Sequence, residues 1–336
     1  MKLNAAKFSP GNISIVYLYV IGFVIFALWI PDLWLTWTTH KATLNIDVST
    51  RAIVAVGLVA PLMTGTFDLS IAGVISLSSV LVANLQTEHG WGMWPAMAAA
   101  VAVALVCGGF NALLVVGGRI NSFIATLASG AVITSIAEYI SDGVQIQVPD
   151  AFKEVSKKEL LWGVQYKVMY LVIIAAVLWY LLEHTPLGRY MQATGDGPDA
   201  ARLAGVQTSR YVASSLFVCA GIAGFAGIVS AAQTAGNATS GAPYLLPAFA
   251  AVFLGSTQFL GRFNVWGTVA SVFVLASLVA GLQRAIENSD LRRILDSLFF
   301  GLALIAAVGL SKLLERYREH RAFRLRADEA AGHPHR

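Results

Sequence analysis

Runs without a charged residue follow one another down the chain, at 8–31, 52–67, 69–87, 89–118, 120–137, 168–182, 211–261, 263–283 and 297–311. A helix needs about 20 predominantly apolar residues to cross the hydrocarbon core, and flanking Lys or Arg can snorkel to rescue a shorter one. The run 211–261 is long enough for two spans, and Ala235-Gly236-Asn237-Ala238-Thr239-Ser240-Gly241-Ala242-Pro243 within it reads as the turn between them. The pattern predicts ten helices, at 14–35, 48–65, 69–86, 94–117, 122–141, 167–184, 211–233, 244–260, 264–283 and 294–311. The fold class expected is therefore an all-α integral membrane protein of about ten transmembrane helices, some of them broken or short. A barrel strand would alternate apolar and polar residues, whereas runs such as Ala96 to Val106 are continuously apolar. Segment 14–35 has Trp29, Trp34 and Trp37 near one end, as an interfacial anchor would, and lacks a small-residue cleavage site. It reads as a first span.

Composition agrees with the pattern. Of 336 residues, 57% are hydrophobic and 12% charged, with a mean hydropathy of +0.67. A soluble domain carries roughly 25% charged residues, and half that share cannot cover a water-facing surface. With ten spans both termini share a side, and the Lys/Arg bias between alternate loops decides which. One side collects Lys2, Lys7, Arg119, Arg189, Arg202, Arg210, Arg262 and the basic tail; the other collects Lys41, Arg51, Lys153, Lys157, Lys158, Lys167, Arg284, Arg292 and Arg293 among a larger number of acidic residues. The first side is expected to be the cytoplasm. The chain then divides into a cytoplasmic segment 1–13, a transmembrane domain 14–311 with a prominent loop at 185–210, and a basic cytoplasmic tail 312–336. The tail reads as an anchor against anionic membrane lipid rather than a nucleic-acid contact.

The chemistry of an enzyme is missing. No lysine follows a glycine, so a phosphate-binding loop is absent. All six histidines (His40, His89, His184, His320, His333, His335) lie in expected loops or the tail, and no metal site is expected. Cys107 and Cys219 both fall inside expected helices, which indicates neither a disulfide nor a metal pair. Ser76, Ser78, Ser79 and Ser129 read as packing or pore-lining hydroxyls. Asp68 is the one acidic candidate for ion coupling, close to a helix end. The energy source for any active transport is expected in another polypeptide.

Three places carry information. At Pro61-Leu62-Met63-Thr64-Gly65-Thr66-Phe67-Asp68-Leu69-Ser70 the helix is expected to break, with Asp68 and Ser70 either capping the next span or touching a solute. In the loop 185–210, Pro198-Asp199-Ala200-Ala201-Arg202-Leu203-Ala204-Gly205 describes a short helix: Pro198 at its first turn, Asp199 at its negative-favouring start and Gly205 as terminator. Such a helix is not stable alone in water, and its apolar side is too small to anchor in lipid; a cytoplasmic partner is expected. Gly221, Gly224 and Gly227, interleaved with Ala220, Ala223 and Ala226, describe close helix packing. A faint echo links Gly118-Arg119-Ile120-Asn121-Ser122-Phe123 to Gly261-Arg262-Phe263-Asn264-Val265-Trp266, each expected at a cytoplasmic turn.

Taken in order, these segments resemble the permease subunits of bacterial ABC importers of the ribose, xylose and arabinose type. The family's G-G-I-D-L-S-x-G-S element reads here Gly65-Thr66-Phe67-Asp68-Leu69-Ser70-Ile71-Ala72-Gly73. Its G-x-x-N-G-x-L and P-x-F-I-x-T-L patterns are similar to Gly109–Leu114 and Ile120–Leu127, and Thr185–Tyr190 with Ala200–Gly205, Ala251–Thr257 and Trp266–Thr268 complete a match over roughly 50–310. The resemblance implies a subunit in the bacterial cytoplasmic (inner) membrane that pairs with a second permease subunit, a copy or a paralogue. It also implies two ABC ATPase subunits, which would hold the ATP and Mg while this chain carries no cofactor, and a periplasmic or extracellular substrate-binding protein delivering a sugar, polyol or related small polar solute. Pro198, Asp199, Ala200, Ala201, Arg202, Leu203 and Gly205 would couple to the ATPase; Asp68, Ser70, Asn111, Ser122, Phe123 and Thr126 are candidates for the solute path. Thr66-Phe67 in place of Gly-Ile puts bulk beside Asp68, and Asn121-Ser122 lacks the usual proline. A secondary transporter or facilitator using Asp68, and a scaffold subunit with no solute path, remain alternatives on the residues alone.

Overall fold

The computed structural model describes residues 14–258, 262–292 and 294–309, so the expected segment 1–13, the tail 312–336 and the end of the last span lie outside the described residues. The first helix, α1 (Ser14–Trp29), stops short of the expected 14–35. Ile30, at φ −134°, breaks it, and α2 (Pro31–Trp34) follows. The cause is Pro31, whose ring disfavours helical geometry at the residue before it. The second expected span begins earlier than 48. α3 (Trp37–Ala42) runs through a π-helical turn, Thr43–Val48, into α4 (Ser49–Met63), one continuous helix of 27 residues. Hydropathy marks the apolar part of such a helix and misses its polar first turns, where Thr36 Oγ1 accepts the Thr39 amide at 3.4 Å.

The remaining elements are α5 (Ile71–Thr87), α6 (Met93–Ala112) with a π-helical continuation Leu113–Gly117, α7 (Ser122–Ser141), α8 (Asp150–Lys157), α9 (Tyr166–His184), α10 (Pro186–Asp196), α11 (Pro198–Leu203), α12 (Thr208–Gln233), α13 (Ala242–Gln258), α14 (Val265–Ala285) and α15 (Ile294–Gly309); all but α8 and α10 fall close to expected helices. Among the described residues six helices are long and apolar enough to cross a membrane, and four shorter apolar ones (Ile15–Trp29, Ile71–Thr87, Ala242–Thr257, Ile294–Gly309) accompany them. Among the described residues no strand forms beyond two isolated bridges, Ile146 with Gly236 and Glu159 with Gln165.

α12 is the hub, packed on α4, α5, α6 and α8. Its small residues make this possible. Gly224 lies against Ala104, Gly227 against the Ile75 carbonyl, and Ala220 against Gly108. Between helices in lipid there is no hydrophobic drive to associate, so close van der Waals approach must supply the attraction, and only Gly, Ala and Ser permit it.

The expected turn after α12 is more than a turn. Gly236 sits against Ala83 of α5, and Gly241 against Ala72, eleven residues back along the same helix. At ~1.5 Å per helical residue that is about 16 Å, the reach of five extended residues. The chain thus descends along α5 before α13 begins. Its backbone is met on the way: Ser79 Oγ accepts the Asn237 amide at 3.3 Å and Ser76 Oγ the Gly241 amide at 3.0 Å.

Candidate functional site

The break after α4 has the expected form. Pro61 lies in the last turn of the helix, Gly65 takes φ +73°, and the Thr66 amide returns to the Pro61 carbonyl at 2.9 Å. The following residues run to α5 without helical partners, and side chains of α7 replace those partners. Ser122 Oγ accepts the Phe67 amide at 3.1 Å, and Thr126 Oγ1 accepts the Leu69 amide at 3.0 Å. Irregular backbone at this depth is tolerated only where protein satisfies it.

Behind the backbone lies a chain of hydrogen bonds that ends on one carboxylate. Ser129 Oγ donates to Asn111 Oδ1 at 2.5 Å, Asn111 Nδ2 donates to Ser70 Oγ at 2.6 Å, and Ser70 Oγ donates to Asp68 Oδ1 at 2.6 Å. The Ser70 amide adds a second donor to Asp68 Oδ1 at 3.0 Å. Every donor points the same way, an arrangement in which neighbouring bonds polarise one another. Ser70 stands at the helix start, but its hydroxyl caps nothing; it is spent on Asp68. Asp68 accepts an amide there, as expected of a cap, though the amide is that of Ser70.

The six candidate path residues are thus gathered around one break, but in two environments. Asp68, Ser70, Asn111 and Thr126 are fully enclosed. Phe123 is about half exposed, 48%, and stands edge-on to Phe67 with ring centroids 6.3 Å apart. Phe67 in turn stacks on Phe249 and Phe253 of α13 at 6.2 and 6.4 Å. The enclosed groups brace the segment that carries Phe67; the aromatic rings, with Ser122 at their edge, form its outward surface.

At the end of α4 nearest this break, α10 and α11 form a foot. Pro186 opens α10, in which Met191 and Thr194 are buried. Gly197 separates it from α11, where Pro198 holds the first turn, Arg202 pairs with Asp199, and Ala201 is the one buried residue. The Val206 amide reaches the Ala201 carbonyl at 2.9 Å and Gly205 takes φ +85°, a glycine-terminated helix end as expected. Leu203 is 91% exposed. The joint between foot and break is intimate: a Cβ at Gly195 of α10 would overlap the Met63 carbonyl and stand 3.1 Å from the Gly65 amide. A cavity of about 500 Å³ beside the joint is lined by Met63, Arg189, Gln192, Arg262 and Asn264, among others.

A family model described as "Branched-chain amino acid transport system / permease component" matches residues 42–308. The chain belongs to this permease family. The permease is a multi-pass inner-membrane protein and a transport subunit, not an enzyme. It is 29% identical over 266 residues to the ribose import permease protein RbsC of Escherichia coli, covering 77% of this chain and 82% of that one. Against RbsC of Bacillus subtilis the identity is 31% over 244 residues, 70% and 74% of the two chains. The L-arabinose transport system permease protein AraH of Escherichia coli matches at 28% over 324 residues, 94% of each. No solved structure matches the permease.

Several features of the permease were not legible in its sequence. α10 is a helix where only a polar loop was expected, because its inward residues, Met191 and Thr194, are too few to register as a periodic stripe. Lys167, expected at the first residue of the span 167–184, is fully buried at the start of α9 and donates to Gln233 Oε1 at 2.6 Å, a partner the sequence did not show. Arg51 lies inside α4, within the expected span 48–65, but its partner Asp296 was not legible. The echoed turns do share a device: Asn121 Oδ1 accepts the Phe123 amide at 3.0 Å and Asn264 Oδ1 the Gly267 amide at 2.6 Å, each capping the next helix.

Proposed function

We propose that the permease crosses the membrane ten times with both termini in the cytoplasm, and that it forms the solute path of an ATP-driven importer for a sugar, polyol or related small polar molecule. Two ABC ATPase subunits, holding ATP and Mg, would power it from the cytoplasm, a second permease subunit would complete the path, and a binding protein outside would deliver the solute. This chain would itself carry no cofactor or metal. The names of its relatives support the solute class: ribose and L-arabinose permeases.

One observation carries the reading: the foot is exposed on its far side and seated on the Gly65 break on its near side. Pro198, Asp199, Ala200, Arg202, Leu203 and Gly205 face outward, with Ala201 fixing the helix to the body. An ATPase that grips α11 differently in its open and closed states would displace α10, and Gly195 would pass the movement to Gly65 and so to Phe67. Because Phe67 lies between Phe123 and the Phe249–Phe253 pair, its movement would change the width of the path. A secondary transporter working through Asp68 fits less well, since that carboxylate is fully enclosed and its Oδ1 is held by the Ser70 amide and hydroxyl.

Reconstituted with its ATPase and binding protein, the Arg202→Glu or Gly205→Pro permease is expected to insert normally but to lose ATP-driven uptake. Wild-type uptake and ATPase co-purification in both variants would refute the coupling role.

A further inference from the structure

The face of the molecule away from the foot holds a charged group that the coupling argument does not use. Arg51 stands twelve residues before Met63, about 18 Å along the helix axis from the joint with the foot. Its Nη2 donates to both carboxylate oxygens of Asp296 on α15 at 3.0 Å, Asp47 Oδ1 is 3.8 Å from Nη1, and the Phe300 ring lies under the guanidinium at 5.2 Å. The π-helical turn Thr43–Val48 lies immediately before this cluster. Such turns insert an extra residue into a helix and recur at functional sites.

A tie between helices would be closed on all sides. This one is open on one. Asp296 keeps 26% of its side-chain surface and, with Phe300, lines a cavity of about 250 Å³ between α13 and α15, whose other walls include Pro243, Leu246, Pro247 and Ser297. The Arg51 Nη1 atom is buried without a hydrogen-bond partner. Ionisable groups at membrane depth are costly, and their retention marks solute or ion paths more often than packing.

We propose that this cavity is an outer subsite of the solute path, selective for a neutral polyhydroxylated molecule; the assignment rests on the importer reading above. The chemistry decides the class. Arg51 holds both oxygens of Asp296, so an anion would have to compete for the guanidinium, whereas hydroxyl groups can donate to the free lone pairs of Asp296 and leave the pair intact. The proline, leucine and phenylalanine walls suit the C–H face of a sugar ring. The volume lies below the ~300–1,000 Å³ typical of pockets for drug-sized ligands, which matches a monosaccharide. A zwitterionic amino acid, the solute in the family's description, would compete for both partners of the ion pair.

Ser297, exposed on the cavity wall, offers the test. In the complex with ATPase and binding protein, Ser297→Cys is treated from outside with an impermeant methanethiosulfonate; wild type is the blank, since Cys107 and Cys219 are buried. Modification is expected to cut uptake at least tenfold while basal ATP hydrolysis persists, and millimolar ribose, allose or L-arabinose, whichever the complex imports, should slow it several-fold while leucine does not. Asp296→Asn is expected to raise the KM of uptake about tenfold. Full uptake after complete modification, an unreactive Ser297→Cys, protection by leucine instead of sugar, or an unchanged KM would each overturn the subsite. If the unmodified complex shows no ATP-dependent uptake, the importer reading itself falls, while thiol protection by sugar still reads the cavity.

Discussion

The Thr64–Ser70 break and the α10–α11 foot are both interruptions of regular helix, touching each other at Gly195, yet they solve the same problem in opposite ways. In the break, backbone amides are met by Ser122 and Thr126, and the side chains behind them are enclosed. In the foot, Gly197 and Gly205 let the chain turn with polar groups open to water. The difference teaches that surroundings, not regularity, set which segment can move. The break is held by side chains from other helices, whereas the glycine joints of the foot are held only by local backbone bonds such as Gly197 to Ala193 and Val206 to Ala201. In the proposed coupling the foot would be the lever and the break the part it pushes.

That contrast can be broken at the joint first. Gly195→Val puts a branched side chain where the Met63 carbonyl already lies; overpacking of this kind costs about 1–3 kcal/mol, and a clear fall in thermal midpoint with loss of uptake is expected in purified protein. Asn111→Ala leaves the enclosed Ser70 Oγ without its donor and Ser129 Oγ with only the Thr126 carbonyl. An unmet buried polar group costs about 1–3 kcal/mol, so denaturation of the break should ease, read as faster amide exchange around Phe67 and Leu69. Gly205→Ala forces a side chain into left-handed geometry at about 1–2 kcal/mol; because α11 is exposed, the loss should appear in ATPase affinity rather than in the melting temperature. Leu203→Asp is expected to change stability by less than about 0.5 kcal/mol, as for other surface sites, while abolishing ATPase co-purification. If Leu203→Asp destabilised the fold as much as Asn111→Ala, the distinction between sealed break and free foot would be lost.

What was legible follows from physics that acts locally. The long apolar runs, the Pro61–Gly65 break and the Pro198–Gly205 helix each rest on solvent preference or on the backbone habits of proline and glycine, which a sequence displays directly. Co-location of Asp68, Ser70, Asn111 and Thr126 was approached only through motif resemblance, because nothing in their spacing states that Asn111 reaches Ser70 forty-one positions away. Phe249 and Phe253 were invisible for the same reason: an aromatic in an apolar helix is indistinguishable from core until its neighbour across the bundle is known. Arg51 and Lys167 were expected within the spans 48–65 and 167–184, but their partners were not legible, because Asp296 and Gln233 lie far away in sequence; charge inside a helix is tolerated once such a group answers it.

The descending segment between α12 and α13 has a practical corollary for mapping sidedness. Residues 237–240 would be chosen as an external loop for inserting a tag or protease site, yet they are wedged beside α5 and held by Ser76 and Ser79. An insertion there would report injury to the helix packing, not the compartment it faces. Reporters belong instead at 88–91 or 287–291, where the connecting chain is exposed.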